Sequence, residues 1–251
     1  MRLRNATGPL AVLLLVITEV AAAQRPDTLR VGSSALRGAE LPTGTYRMVS
    51  VRRANGHDAP NSTTVITIRR DGTGPGAVYV IASVHASAGG DTTIAAITAR
   101  ASDFALVHHR VRGSADSTAV TAGDGFLTGW VVLPGQPVSL IDQPLVRPLF
   151  PMDGQVPWLF PLLPLADGYA AVIPHYSPWA RGTKWTSVRV LGSERIELNG
   201  ETVHCWKVDG GELFPGYRVT YWVDKGRRRV VRGVARGDPD DPEFWSWLAP
   251  S

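Results

Sequence analysis

The last third of the chain carries an alternating pattern that leaves few folds open. Along residues 183–236, apolar and polar side chains alternate in short segments, so that Val188 and Val190 fall on the opposite face from Ser187 and Arg189. A period of two residues is typical of a strand with one buried face. The short spacings between segments allow antiparallel neighbours, whereas a parallel pair needs a long crossover. The pattern therefore predicts a β-meander.

Turn-forming residues mark the ends of the predicted strands in this meander. Asn199-Gly200 suits a two-residue type I′ hairpin, because both residue types tolerate positive φ. Asp224-Lys225-Gly226 is a second predicted turn. The predicted strands cover residues 186–190, 196–198, 202–208, 217–223 and 228–236, with a loop at 209–216.

The first half of the chain continues the same pattern. Its predicted strands cover residues 45–53, 63–69, 77–85, 92–99, 104–111, 118–121 and 126–133, and residues 55–61 are predicted to be a turn-rich connection. Regularly spaced short strands with few amphipathic helices predict an all-β fold, with an antiparallel, strongly curved sheet or open half-barrel. Near the C-terminus, Asp241 and Pro242 suit the N-cap and first position of a helix, so a short C-terminal helix is expected.

Residues 1–23 have the composition of a secretory signal peptide. Two arginines precede an apolar run at residues 10–17, and a stretch of three alanines ends at Ala23. The run is less than half of the roughly 20 residues that cross a bilayer. We therefore expect cleavage after Ala23, export to the periplasm or the extracellular space, and no transmembrane segment in the mature chain. Residues 24–251 are expected to form a single β-rich domain.

Charge and cysteine content exclude two further classes of protein. The formal net charge is +4, and loss of Arg2, Arg4 and Glu19 with the signal peptide leaves +3 (4 − 2 + 1), too mild to favour nucleic-acid binding. The chain has one cysteine, so an intramolecular disulfide is excluded. Cys205 lies within a predicted strand, where a free cysteine is more often a small buried hydrophobe than a nucleophile.

A proline-rich apolar segment interrupts the strands at residues 134–178. Proline at this density is incompatible with a continuous helix or a central strand. Two roles are expected for such a crossover. It either fills one end of the sheet as core or forms a lid over an apolar cavity, since long irregular loops in compact domains are often functional.

All eight tryptophans lie from Trp130 onward. Large rings that line one concavity suit an apolar or carbohydrate-like ligand, and core packing explains the same rings equally well. The candidate ligand-binding residues are Trp158, Phe160, Trp179, Trp206 and Tyr221, with Trp185 and Trp222 as further candidates for the same concavity.

The densest basic cluster consists of Arg227, Arg228 and Arg229. These residues are candidate contacts for anionic lipid head groups. A solvated hairpin end, or protection of a sheet edge against pairing with another sheet, predicts the same composition.

No motif in the chain indicates a catalytic site. His108 and His109 are adjacent on a predicted strand and so point to opposite faces, which argues against a shared metal ion. We predict no catalytic residue, no metal ligand and no cofactor. A hydrolase would need residues that are distant in the chain, such as two of His85, His108, His175 and Glu194, to meet in one pocket.

Two motifs of the meander carry a family resemblance. The run Asn199-Gly200-Glu201-Thr202 leading into His204-Cys205-Trp206-Lys207-Val208, and Tyr221-Trp222-Val223-Asp224 followed by Arg229-Val230-Val231-Arg232, resemble the C-terminal meander of the exported domain-of-unknown-function 3108 family. That family is similar in turn to the curved-sheet lipoprotein carriers of bacterial envelopes, whose concave face holds acyl chains. The resemblance implies a periplasmic or surface location and an antiparallel sheet that wraps an apolar ligand.

Three hypotheses on function follow. The first, which we favour, is a non-catalytic envelope protein that binds a lipid or another apolar small molecule on a curved antiparallel sheet. The second is a structural or assembly module that contacts another envelope protein. The third, with the least support, is a hydrolase.

Overall fold

The computed structural model describes residues 27–36, 41–114, 116–151, 156–177, 180, 182–214 and 216–250. The strands in these ranges are β1 (Asp27–Thr28), β2 (Gly44–Ala54), β3 (His57–Asp71), β4 (Val78–Ser87), β5 (Thr92–Arg100), β6 (Leu106–Arg112), β7 (Ser117–Gly123), β8 (Phe126–Val132), β9 (Ser139–Pro144), β10 (Ala170–Ser177), β11 (Gly182–Leu198), β12 (Glu201–Phe214), β13 (Tyr217–Asp224), β14 (Val230–Arg236) and β15 (Glu243–Leu248). Two short 3₁₀ helices cover Gly74–Gly76 and Val156–Leu162. The predicted signal peptide lies outside the described residues.

One hydrogen-bonded sheet contains all of these strands, in the order β1-β10-β11-β12-β13-β14-β15-β2-β3-β4-β5-β6-β7-β8-β9. The order consists of two antiparallel meanders, β2 to β9 and β10 to β15. Strand β15 pairs with β2 and so joins the meanders, while the two-residue β1 adds to β10 in parallel. Because β1 and β9 end the order, the ladder of described strands does not close. The predicted fold, an all-β, antiparallel and strongly curved open sheet, is confirmed.

Left-handed two-residue turns connect the long strands. Asn199 (φ 53°) and Gly200 (φ 81°) join β11 to β12, as predicted. The prediction of a turn-rich connection over residues 55–61 is wrong beyond its first two residues, because β3 begins at His57 and pairs with β2 from there. A register shift at Asn61 lets the ladder continue past the preceding proline.

Bulges extend other strands beyond their predicted ends. Residues 186–190 and 196–198, predicted as two strands, are parts of one strand, β11, with a register shift just before Gly192. The predicted loop at 209–216 is also wrong, since β12 continues to Phe214 through two register shifts. In both places an inserted residue bends the strand without ending its pairing.

The proline-rich segment contains β9 and β10, which were not predicted. Pro144 ends β9, the last strand of the sheet order, where a missing donor leaves no gap in a ladder. Pro174 lies within β10 opposite Trp185, beyond the two residues with which β1 pairs. Phe150 forms an isolated bridge with β10 at His175, and its backbone N–H donates to the carbonyl oxygen of Pro174 at 3.4 Å, a bond that needs no proline N–H. Both prolines therefore lie where the ladder does not require the missing donor.

The predicted C-terminal helix is wrong. Residues 243–248 form β15, which is hydrogen-bonded to β14 on one side and to β2 on the other. Two ladders outweigh a local capping signal, and the aromatic residues Trp245 and Trp247 favour a strand. Asp241 instead accepts a hydrogen bond through Oδ2 from the backbone N–H of Asp238, 3.1 Å away, and closes a turn.

The second 3₁₀ helix fills part of the concave interior. Leu159, Phe160, Leu162 and Leu163 are completely buried, at 0% exposure, and pack in the main hydrophobic cluster with inward side chains of both meanders. Burial of each such side chain contributes about 2 kcal/mol. Of the two roles expected for the proline-rich segment, this part of it has the role of core.

A second hydrophobic cluster lies on the other side of the C-terminal meander. It comprises Ile196, Leu198, Val203, Cys205, Trp222, Val231, Val234 and Leu248. The bulge before Gly192 redirects the distal half of β11 toward this side. Asn199 donates from Nδ2 to the carbonyl oxygen of Leu248 at 3.1 Å, and Arg232 donates to that of Glu197 at 3.1 Å. These bonds hold the β11–β12 hairpin against β14 and β15.

Candidate functional site

A cavity of about 320 Å³ lies on the concave face where the two meanders meet. One cross-strand row runs along its wall, and register pairs Tyr221 with Gly233, Gly233 with Ser246, Ser246 with Ser50, and Ser50 with Ser62. The glycine and the three serines are small, so the row leaves space above it that larger side chains would fill. The cavity wall therefore depends on the pairing of β15 with β2, which places these small residues in one row.

Hydroxyl groups give this wall a polar band. The Oγ atoms of Ser50 and Ser62 are 2.7 Å apart, and Asn61 donates from Nδ2 to Ser50 Oγ at 3.0 Å. Ser246 donates from Oγ to the carbonyl oxygen of Gly233 at 3.3 Å. Because these groups already bond to one another, an apolar ligand can cover them at a smaller cost than unpaired polar groups would impose.

His85 is the histidine of the cavity wall. Its Nδ1 lies 2.9 Å from Thr64 Oγ1, and both residues line the cavity. Burial lowers the pKa of His85, so the imidazole is neutral at pH 7. The neutral ring keeps one further nitrogen for a hydrogen bond with a polar group of a ligand.

The apolar wall of the cavity is formed around Tyr221 and Trp158. The ring of Phe160 meets that of Tyr221 edge-on, with centroids 5.2 Å apart and planes at 62°. A Cβ atom at Gly210 would lie 2.8 Å from Cε2 of Tyr221, and one at Gly233 would lie 3.3 Å from Cδ1, so the ring rests on two glycines. Burial raises the pKa of Tyr221, which keeps the hydroxyl protonated.

The structure brings together two of the five predicted ligand-binding residues. Trp158 and Tyr221 line the cavity. Phe160 packs against Tyr221 but is completely buried in the core. Trp206 lies apart from the cavity, with Lys225 Nζ 3.3 Å from its ring centroid. Trp179 lies outside the described residues.

The two further tryptophan candidates are also separate from the cavity. Trp185 is 57% exposed on β11. Trp222 belongs to the second cluster and donates from Nε1 to Glu194 Oε2 at 3.1 Å. The described tryptophans therefore do not form one common concavity.

The three predicted anion-contacting arginines have three different environments. Arg228 donates from Nε to the carbonyl oxygen of Pro161 and from Nη2 to that of Leu163, each at 2.8 Å. Arg227 lies 3.2 Å from Glu201 Oε2. The guanidinium carbon of Arg229 lies 5.8 Å from the ring centroid of Tyr46.

The polar wall of the cavity was not predicted from the sequence. The sequence signal for such a wall is a strand in which small polar residues lie on the same face as buried apolar residues. In β3, Ser62 and Thr64 share the face of buried Ile66 and Ile68. Small hydroxyl residues at inward positions indicate a cavity lining rather than core.

The residues that a hydrolase would require do not meet. His85 lines the cavity, whereas buried His175 bonds through Nε2 to Thr186 Oγ1 at 2.9 Å. His108 bonds to an exposed threonine of β7, and Glu194 lies beside Trp222. Among the described residues, no group of three or more His, Cys, Asp or Glu side chains could hold a metal ion. No helix in the described ranges is long and apolar enough to span a membrane.

The sequence matches a protein family over residues 59–234, which is more than half of the 251-residue chain. The family is described as "Protein of unknown function (DUF3108)". The chain belongs to this family. The match runs from within β3 to within β14, so the DUF3108 region includes parts of both meanders and the second 3₁₀ helix. Comparison with curated proteins gave no match.

Three solved structures are similar to this DUF3108 member. A beta-barrel-like DUF1849 protein from Brucella abortus is 12% identical, with 84% of this chain and 97% of that one covered and a TM-score of 0.47. A protein with a YmcC-like fold from Bacteroides fragilis is 9% identical, with 83% and 96% covered and a TM-score of 0.38. A DUF1329 family protein from Desulfovibrio piger is 13% identical, with 82% of each chain covered and a TM-score of 0.24.

Proposed function

We propose that the protein is an exported, non-catalytic envelope protein that binds a lipid or another apolar molecule on the concave face of its sheet. The cavity of about 320 Å³ between Trp158 and the Tyr221–Ser62 row carries this proposal. Cavities that hold small molecules start at about 300 Å³ and combine apolar walls with a few placed polar groups. The cavity has both features.

The lining favours an amphipathic ligand. Met48, Ile66, Val219 and Phe244 supply apolar surface beside the aromatic wall, and the serine and threonine hydroxyls lie opposite it. A hydrocarbon portion would gain free energy from contact with the first group. An ester, amide or hydroxyl group would exchange hydrogen bonds with the second group or with His85.

The space available limits the size of the ligand. The second 3₁₀ helix and Leu163, which follows it, already occupy part of the concave interior with four completely buried side chains. The remaining volume is at the lower end of the range for ligand pockets. The proposal is therefore one short chain or ring system rather than a multi-chain lipid held entirely inside.

Export is part of the proposal and is supported by the N-terminal sequence. Residues 1–23 combine a basic start, a short apolar run and small residues before the expected cleavage site. Purification of the full-length product from a bacterial host and mass measurement of its N-terminus test this part. Retention of residues 1–23 in a cytoplasmic product would contradict it.

The binding proposal is tested by filling the cavity. Ala235 lines it between Val219 and Phe244 in the cross-strand register. We expect Ala235→Phe to weaken binding of a fluorescent fatty acid about tenfold, because the new ring competes for the same volume. Exposed Ala82 on the outer face of β4 is the matched control, and Ala82→Phe should leave the affinity unchanged. Equal affinities of both variants and the parent chain would overturn the proposal.

Native mass spectrometry identifies the ligand. A mass increment on the purified protein that is lost on solvent extraction, and absent from Ala235→Phe, would support a lipid cargo. If the purified protein has the mass of the polypeptide alone and also fails to bind the fatty acid, the proposal is contradicted.

A second candidate function is docking of another envelope protein, and the exposed edge favours it. Strand β9 ends the sheet order, and no described strand pairs with its other side. Leu140 of β9 is 84% exposed, and Val146 just beyond it is 90% exposed. An unpaired strand with exposed apolar side chains can accept a strand from a partner. Leu140→Lys should abolish capture of such a partner while fatty-acid binding remains.

A further inference from the structure

A second depression, with a volume of about 530 Å³, lies at the end of the sheet next to the start of β2. Three arginines, Arg47, Arg227 and Arg229, contribute to its lining, together with Asn199 and Glu201. We call this depression the arginine groove. Its walls come from β2, the β11–β12 turn, the β13–β14 turn and residues 248–250 at the end of β15, which are distant in sequence.

The charges of the arginine groove are only partly compensated. Glu201 is the carboxylate in the lining and pairs with Arg227 at 3.2 Å. Arg47 is exposed and has no side-chain partner among the described residues. The Nε atom of Arg229 is buried and has no hydrogen-bond partner in the described part of the chain. A buried guanidinium donor without a partner is costly, so an acceptor at this position would be stabilising.

The arginine groove is connected to the ligand cavity by shared side chains. A narrow gap of about 10 Å³ has Tyr46, Arg229 and Leu248 in common with the groove. The same gap has Met48 and Trp158 in common with the cavity. The gap is too small for a hydrocarbon chain, but methionine has three rotatable bonds and adapts its shape readily. Met48 lines both the gap and the cavity, so passage of a chain between them requires its side chain to move.

We infer that the arginine groove binds the anionic head group, of phosphate type, of the amphiphile whose apolar part occupies the cavity. This inference rests on the proposed function and assigns the chemical class of its ligand. Guanidinium groups match phosphate oxygens with forked hydrogen bonds, which suits Arg47 and Arg229. Arg228 has no part in this site, because its side chain is bonded to the backbone of the 3₁₀ segment and it does not line the groove.

The arrangement predicts a preference that an apolar cavity alone would lack. A single-chain alkyl phosphate should bind more tightly than an uncharged alcohol of the same chain length. The difference should shrink at high salt concentration, because charge attraction at a partly exposed site is screened. Binding of the alcohol should be insensitive to salt.

The test is calorimetric titration of the purified full chain with tetradecyl phosphate, with tetradecanol and with inorganic phosphate. The variant Arg47→Gln/Arg229→Gln should bind the alkyl phosphate about tenfold more weakly, with the affinity for the alcohol unchanged. The control Arg110→Gln/Arg112→Gln removes the same charge from exposed positions of β6 and should retain the affinity of the parent chain. Arg47→Gln alone gives a second reading, since this exposed side chain supports no described contact and its loss should not affect folding.

The outcomes separate this inference from the proposed function. Binding of the alcohol without any preference for the phosphate would overturn the inference and leave the proposed function standing. Failure of the parent chain to bind either amphiphile would overturn both. Inorganic phosphate that binds as tightly as the alkyl phosphate would overturn the amphiphile assignment and indicate a site for free phosphate.

Discussion

The side chain of Arg228 binds the backbone of the second 3₁₀ helix, with Arg228 Nε 2.8 Å from the carbonyl oxygen of Pro161. A second bond runs from Nη2 to the carbonyl oxygen of Leu163, also at 2.8 Å. The last carbonyl groups of a helix have no partner within the helix and need one from elsewhere. The turn between β13 and β14 supplies that partner, so the middle residue of the basic cluster has a structural role.

Replacement of Arg228 should loosen the buried 3₁₀ segment. We expect Arg228→Ala to lower the free energy of unfolding by about 2 kcal/mol, since two hydrogen bonds from a charged donor are lost. The carbonyl oxygen of Leu163 keeps its bond from the backbone N–H of Leu165 at 2.8 Å, so the loss falls mainly on the Pro161 carbonyl. Arg228→Lys should recover only part of this loss, because one ammonium group cannot reproduce the fork. Urea denaturation measures both changes. The control Arg110→Ala, at an exposed position, should be nearly neutral, and equal losses at the two positions would refute the assignment.

The parts of the fold that depend on local sequence could be predicted. The Asn199-Gly200 turn has positive φ at both residues, because a two-residue hairpin turn requires that conformation and these two residue types tolerate it. Alternation located most strands, since it reflects one buried face. The second half of β12 and the C-terminal strand could not be found in this way. Trp247 pairs with Val49 from the other end of the chain, and no local pattern reveals such a contact.

The candidate site was only partly predictable for the same reason. Trp158 and Tyr221 are large aromatic residues and attract attention by type alone. The small residues opposite them, such as Gly233 and Ser246, have a role only because β15 lies between β14 and β2. The arginine groove likewise needs Arg47 beside the β13–β14 turn, which depends on sheet order rather than on sequence proximity.

Strands β7 and β8 approach each other closely at Gly129, and a substitution there tests how much this contact contributes to stability. A Cβ atom at this position would overlap the carbonyl oxygen of Ala119 and lie 2.9 Å from Cα of Val120, and the φ angle of 147° is unfavourable for other residues. We expect Gly129→Ala to lower the free energy of unfolding by about 3 kcal/mol. Gly123 on β7 has ordinary φ, and a Cβ atom there would meet open space, so Gly123→Ala should change stability by less than about 0.5 kcal/mol. Thermal unfolding of the two variants measures the contrast, and similar melting temperatures would contradict it.

The thiol of Cys205 should be unreactive in the folded protein. Its side chain is completely buried in the second cluster, and burial, aided by the nearby charge of Asp224, raises the pKa of the thiol to about 12. Thiolate is the reactive form, so a disulfide reagent at pH 8 should not modify the native chain. The thiol should react at once in concentrated urea. Rapid reaction of the native protein would show that the β11–β12 hairpin opens from β14 and β15.

His109 should make the stability of the protein depend on pH. The imidazole is 4% exposed between Ile97 and Val120, and neither of its ring nitrogens has a hydrogen-bond partner among the described residues. Burial lowers its pKa from 6.5 to about 4, so the unfolded chain binds a proton at a higher pH than the folded chain does. Stability from this residue is complete above pH 6.5 and is lost as the pH falls toward 4. The loss is at most about 3 kcal/mol.

His109→Leu should remove that dependence and raise stability at neutral pH. Leucine fills the same apolar row without two unpaired nitrogens, which should add about 1 kcal/mol at pH 7. Urea denaturation at pH 7, 6, 5 and 4 compares the slopes of the variant and the parent chain. His57→Leu, at an exposed position, is the control and should keep the parent slope. Burial also lowers the pKa of His85, so this histidine still destabilises the folded His109→Leu protein as the pH falls. The slope of stability against pH should therefore become smaller in this variant without reaching zero. An unchanged slope in His109→Leu would mean that the folded protein accommodates the proton, and the buried imidazole would then have a partner when charged.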